Sequence, residues 1–174
     1  DSIFFRPWGG AWRKALDTFS TLFVQNDESK ELLAELGHKN VVVAGDTRFD
    51  RVASIAKAAK RVELIERFRG EKPLFVAGST WGPDEEILLA LINENPEIRF
   101  VIAPHEMNET RIEHIIATVK GGAVRYMQST TESDFSNTQV LILDTVGILS
   151  SVYGYAQWSY IGGGFGVGIH NTLE

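Results

Sequence analysis

The stretch Leu74-Phe75-Val76-Ala77-Gly78-Ser79-Thr80-Trp81-Gly82-Pro83-Asp84-Glu85-Glu86 decides the fold. An apolar run gives way to Gly-Ser-Thr, and a proline with three acids follows. Proline suits the first turn of a helix, and carboxylates suit the positive end of its dipole. Leu74–Ala77 therefore reads as a strand, and Pro83 onward as a helix that carries Ile87, Leu88, Leu91 and Ile92 as far as Asn95-Pro96.

Downstream the same alternation repeats. Strand Arg99–Ala103 ends at Pro104-His105-Glu106, and a helix over Arg111–Val119 sets Ile112, Ile115 and Ile116 on one face. A modest strand over Ala123–Met127 and a polar loop over Ser129–Asn137 come next. Strand Val140–Leu143 delivers Asp144-Thr145, and a helix from Val146 to about Tyr155 leads to a last strand at Trp158. Short apolar runs between amphipathic helices imply an α/β protein, a Rossmann-like parallel sheet with helices on both faces.

Upstream, Thr21–Gln25 reads as a strand. A helix capped by Asn26 or Asp27 runs to Leu36 and stops at Gly37, before a strand over Asn40–Ala44. Gly45–Arg51 reads as a polar turn, Val52–Phe68 as one basic amphipathic helix, and Arg69–Pro73 as its exposed exit. Three stretches follow: 1–44 closes one α/β unit, 45–72 links, and 73–174 forms a second unit. Phe4, Phe5, Arg6, Trp8, Trp12, Arg13, Lys14 and Phe19 fit a membrane interface, a partner surface, or packing against another part of the protein.

The 174 residues are 44% hydrophobic and 23% charged, enough to bury a sizeable core. Without cysteine there is no disulfide, thiolate nucleophile or Cys-type zinc site. A net charge of −6 argues against nucleic acid as a partner. No apolar run approaches the roughly 20 residues of a membrane-spanning helix. The chain opens on Asp1 rather than Met and stops just after a polar motif, which reads as an excised piece, with Leu173-Glu174 candidates for a cloning remnant.

If the sheet is parallel, four strand ends meet on one edge: Gly78-Ser79-Thr80, Pro104-His105-Glu106, Asp144-Thr145-Val146-Gly147 and the closing Gly162-Gly163-Gly164-Phe165-Gly166-Val167-Gly168-Ile169-His170-Asn171-Thr172-Leu173-Glu174. Ser79 and Thr80 offer hydroxyls, and the N–H groups of the helix after them attract an anion. His105 offers an imidazole, although a lone histidine at a strand end is more often structural or solvated. Gly147 is expected to open a helix with its N–H free for phosphate, and Glu174 to accept from a ribose diol. Gly163, Gly164 and Gly166 allow φ > 0 and let backbone N–H groups come close to an anion such as phosphate. The spacing excludes a P-loop, a dinucleotide G-x-G-x-x-G fingerprint and a zinc-type H-E-x-x-H helix.

Gly45-Asp46-Thr47-Arg48-Phe49-Asp50, then Gly78-Ser79-Thr80-Trp81 before an acidic helix, then Asp144-Thr145-x-Gly147, and last Gly-Gly-x-Phe165 with His170-Asn171-x-x-Glu174 occur in this order. The set resembles the bacterial 3-deoxy-D-manno-octulosonic acid (Kdo) transferases, from about residue 20 onward. The resemblance implies two Rossmann-like domains of the GT-B type: 1–44 as the end of the acceptor domain, 45–72 as linker and connecting helix, and 73–174 as most of the donor domain. It implies inverting transfer of Kdo from CMP-Kdo to a lipid A precursor in lipopolysaccharide biosynthesis, at the cytoplasmic face of an inner membrane, with no metal and no cofactor. By position, Ser79, Thr80, Pro104, His105, Gly147, Asn171 and Glu174 would line the CMP pocket. The catalytic base would lie upstream of Asp1, so that this chain alone is expected to be inactive. One departure stands out: the family commonly carries an arginine between the proline and histidine, whereas Pro104 and His105 are adjacent. Arg48 or Arg111 would take its place, or backbone N–H groups alone would hold phosphate. Another GT-B nucleotide-sugar enzyme, such as a UDP-sugar epimerase, and a non-catalytic nucleotide-binding module are the competing readings.

Overall fold

In the computed structural model the described residues are 9–165. The chain divides into two units, Asp1–Ala53 and Ser54–Glu174. Residues 1–8 and 166–174, with Phe4, Phe5, Arg6, Trp8, Gly166, Asn171 and Glu174 among them, lie outside the described residues.

The first unit holds helix α1 (Gly10–Leu16), strand β1 (Leu22–Val24), helix α2 (Asp27–Glu35) and strand β2 (Val41–Val43), and helix α3 (Thr47–Lys57) begins in it. β1 and β2 pair in parallel, with Phe23 opposite Val42. The Asn26 side chain caps α2 by accepting from Ser29 N at 2.9 Å. Where a polar turn was expected over Gly45–Arg51, α3 has already begun at Thr47.

The second unit continues with α4 (Glu63–Arg69), β3 (Leu74–Thr80), α5 (Gly82–Glu94), β4 (Arg99–Pro104), α6 (Glu109–Thr118) and β5 (Ala123–Arg125). A 3₁₀ turn over Tyr126–Gln128, β6 (Val140–Ile142), α7 (Leu149–Tyr153) and β7 (Trp158–Ile161) complete it. Its sheet has the order β5-β6-β4-β3-β7, and every pairing is parallel. Successive side chains of a strand point to opposite faces, and here both faces are covered. Leu74, Val76, Val101, Ala103 and Leu141 pack with Leu64, Ile65 and Phe68 of α4 and Val152 of α7. Ala77, Phe100, Ile102, Val140 and Ile142 face Leu88, Leu89 and Ile92 of α5 and Ile112 and Ile115 of α6. The expected α/β architecture is thus present.

Three local expectations are corrected. The single helix over Val52–Phe68 is two, α3 and α4, interrupted by residues 58–62. Two backbone N–H groups there are taken by side chains from afar: Lys60 N donates to Ser151 Oγ at 3.2 Å, and Val62 N to Tyr155 Oη at 2.9 Å. Tertiary hydrogen bonds thus replace the helical ladder over a sequence of good helix formers. The helix expected from Val146 to Tyr155 is cut to α7, because Gly147 sits at φ +88° and no regular helix passes through that conformation. Gly147 therefore does not open the helix. Finally, β3 runs on through Ser79 and Thr80, which were expected in a loop.

Candidate functional site

The order of strands sets the place of the site. The chain steps from β3 to β4 on one side, reaches β6 beyond it, and returns to the other side of β3 as β7. The order thus reverses between β3 and β7. In open parallel sheets, ligands bind outside the carboxyl ends of the strands at such a switch point. Here those ends are Ser79-Thr80-Trp81 and Ile161-Gly162-Gly163.

At this point β3 carries a local distortion. Its register with β4 slips between Gly78 and Thr80, where Gly78 pairs with Ala103 and Thr80 with Pro104. Ser79 is the extra residue, at φ 55°, the one positive-φ residue other than glycine among the described residues. A β-bulge in the left-handed region normally carries glycine, and a serine there costs on the order of 1–2 kcal/mol. Strain of this kind collects where a backbone is held for a purpose.

The wall opposite is tied to this bulge. Gly162 N donates to Gly78 O at 2.9 Å. A Cβ on Gly162 would strike the Ser79 carbonyl oxygen and come within 2.7 Å of Thr80 Cα, so only glycine lets the two loops approach. Asp84, in the first turn of α5 and 1% exposed, gathers three donors. They are Tyr160 Oη at 2.6 Å, Gly163 N at 2.9 Å and Trp81 N at 2.8 Å. Burial pushes the Asp84 carboxyl up, but these hydrogen bonds, with Arg111 nearby, hold it below its ordinary value. The Tyr160 hydroxyl is pushed up to about 12, first by burial and then by Asp84.

A second buried carboxylate braces the other side. Glu85 accepts from Arg111 Nε at 2.9 Å and Nη2 at 2.5 Å, and from Thr80 Oγ1 at 3.0 Å. Arg111 Nη2 also reaches the Thr80 carbonyl at 3.3 Å. His105 N donates to that carbonyl at 2.9 Å, and its ring stacks on Trp81 with centroids 4.5 Å apart and planes at 25°. Asp84, Glu85, Tyr160 and the Trp81–His105 stack escaped the sequence reading. Asp84 and Glu85 were assigned only to the helix dipole, and nothing marks a tyrosine inside a strand as a latch.

The predicted residues thus separate into groups. Ser79, Thr80, Pro104, His105 and Gly163 stand on the neighbouring ends of β4, β3 and β7, and Gly164 follows them in the exposed turn after β7. Thr80 is fully buried, with its hydroxyl committed to Glu85. Gly147 follows β6, where it lines a cleft of about 710 Å³ with Tyr126, Thr131, Ser151 and the 58–62 segment. Gly166, Asn171 and Glu174 lie outside the described residues. Of the two arginines considered in place of the missing one, Arg111 is held by Glu85. Arg48 belongs to the first unit, where it closes on Asp46 at 2.6 Å. Among the described residues no cluster of histidine and carboxylate side chains could hold a metal, and no helix is long and apolar enough to cross a membrane.

No protein-family model matches the chain. It is similar to a bifunctional glycosyltransferase/methyltransferase of Fusobacterium nucleatum, 24% identical over 170 residues, which cover 93% of this chain and 26% of that protein. A 3-deoxy-D-manno-octulosonic acid transferase of Haemophilus influenzae is 26% identical over 163 residues, 89% of this chain and 38% of that protein. Its counterpart in Rickettsia prowazekii is 26% identical over 170 residues, 91% of this chain and 35% of that protein. The chain spans between about a quarter and two-fifths of the length of these relatives. The likeness first read from motifs in order therefore runs along about nine-tenths of the chain, which is a relative of the 3-deoxy-D-manno-octulosonic acid transferases.

Proposed function

We propose that the chain supplies the donor-nucleotide half of a glycosyltransferase that moves Kdo from CMP-Kdo to a lipid A precursor, with inversion and at a membrane face. In this reading the nucleotide lies outside the carboxyl ends of β3 and β7. Its phosphate sits at the amino end of α5 and the exposed turn after β7, with Gly82 N and Gly164 N as donors, since Trp81 N, Gly162 N and Gly163 N are bonded within the wall and Arg111 and Arg48 are already ion-paired. Asn171 and Glu174 are assigned to the ribose, the stretch before β3 to the linker, and catalytic base and acceptor to the other half of the enzyme. The supporting observation is that two of the ordered motifs, Gly78-Ser79-Thr80-Trp81 and the glycine cluster, meet at the sheet's switch point, bound by Gly162 N to Gly78 O.

Calorimetric titration of the chain with CMP, UMP and UDP tests the assignment. Saturable binding with CMP preferred is the expected result. A preference for UDP would point to a different nucleotide-sugar enzyme, and binding of none of the three would remove the nucleotide site.

A further inference from the structure

The opposite, amino-terminal edge of the same sheet holds a buried charge that no described residue neutralises. Arg99 opens β4 and is 8% exposed. Its guanidinium carbon lies 5.3 Å from the centroid of the Phe68 ring. Among the described residues its side chain makes one hydrogen bond, from Nη2 to the Phe135 carbonyl at 2.7 Å. Nε is buried with no hydrogen-bond partner. No described carboxylate pairs with it, and burial pushes the guanidinium below its ordinary value. A desolvated cation with an unmade hydrogen bond and no counter-charge is costly, and such a group in a native fold calls for a partner.

Arg99 lies in the wall of a cleft of about 580 Å³, between the 67–72 segment and the 132–136 loop. Arg67, Arg69 and Lys72 stand around it, against Glu71, Glu132 and Asp134. Of these acids, Asp134 is turned onto its own loop, accepting from Ser136 N at 2.9 Å and Ser136 Oγ at 3.0 Å. Aromatic rings on two sides, Phe68 and Phe135, meet edge to face and shut water from the floor. The cleft therefore has one buried guanidinium, that of Arg99, in its wall and further cations at its mouth, a set that matches a tetrahedral oxyanion.

We propose that this cleft is a phosphate site separate from the nucleotide edge, filled by inorganic phosphate or by the phosphate of a lipid headgroup, with Arg99 as the floor ligand and Arg67, Arg69 and Lys72 at the rim. Thermal unfolding and calorimetry of the full chain in inorganic phosphate, against sodium chloride at the same ionic strength, read the first source. Flotation with phosphatidylcholine vesicles, with and without phosphatidic acid, reads the second. The expected result is saturable binding in one of the two arms, lost at least tenfold in Arg99→Leu and weakened severalfold in the exposed Lys72→Ala. CMP affinity should be the same in both variants as in the parent chain. Because Lys72 is exposed, that variant keeps its fold even where Arg99→Leu does not. No saturable binding beyond the chloride control in either arm, or binding that survives both substitutions, overturns the proposal.

Discussion

The two edges of the second unit's sheet treat buried charge in opposite ways. At the carboxyl edge each buried acid among the described residues is answered: Asp84 by Tyr160 and two backbone N–H groups, Glu85 by Arg111, and Asp144 by Arg125 Nε at 2.8 Å. At the amino edge Arg99 is enclosed with one carbonyl and two aromatic rings. A satisfied charge positions backbone. The carboxylates of the carboxyl edge pull loops from three strands and two helices into one wall, whereas the solitary guanidinium of the amino edge leaves its hydrogen-bonding capacity to something outside the chain.

Four substitutions probe this contrast, in descending order of expected effect on urea unfolding. Arg111→Ala strands Glu85, 4% exposed, in the interior and should cost about 3–5 kcal/mol. Tyr160→Phe removes the shortest bond to Asp84 and should cost about 1.5–3 kcal/mol. Its cost should also depend on pH. The Asp84 carboxyl is held below 3.8, so the parent's advantage is present above that value and shrinks as pH falls through the depressed pKa. Tyr160 is raised from 10.0 to about 12, so the advantage is complete below pH 10.0 and fades as pH rises towards about 12. An advantage flat across both ranges would break the latch as described. Gly162→Ala forces apart the two loops at the switch point and should cost about 1–3 kcal/mol. Arg99→Leu should come within about 1 kcal/mol of the parent or exceed it, since a buried charge gives way to an apolar side chain. A loss as large as that of Arg111→Ala would make the two edges alike.

Much of this was legible in the sequence. The strands of the second unit were readable because a sheet covered on both faces demands short apolar runs, and Leu74–Ala77, Arg99–Ala103 and Val140–Leu143 are such runs. The break at 58–62 was not, since it depends on Ser151 and Tyr155, about 90 residues away. Nor was the bulge at Ser79, where a serine occupies a conformation that sequence rules assign to glycine. Of the residues at the ends of β3, β4 and β7, those with conspicuous chemistry, Ser79, His105 and the glycines, stood out in the sequence. Asp84 and Glu85 were passed over, since their types are ordinary on a helix and their importance comes from burial, and Arg111 was considered only as a phosphate partner, not as the ion pair of Glu85. Arg99 was hidden for the same reason, since the first residue of a strand is commonly a solvated one.

The central claim is that the β3–β7 end of the sheet receives the nucleotide. Amide chemical shifts of the labelled chain, followed while CMP is added, test it most directly. The account predicts saturable shifts at Ser79 to Gly82, His105, Gly162 and Gly163, with Gly147 and Arg99 little changed. Shifts centred instead on Gly147 and the 58–62 segment, or on Arg99 and the 132–136 loop, would contradict it.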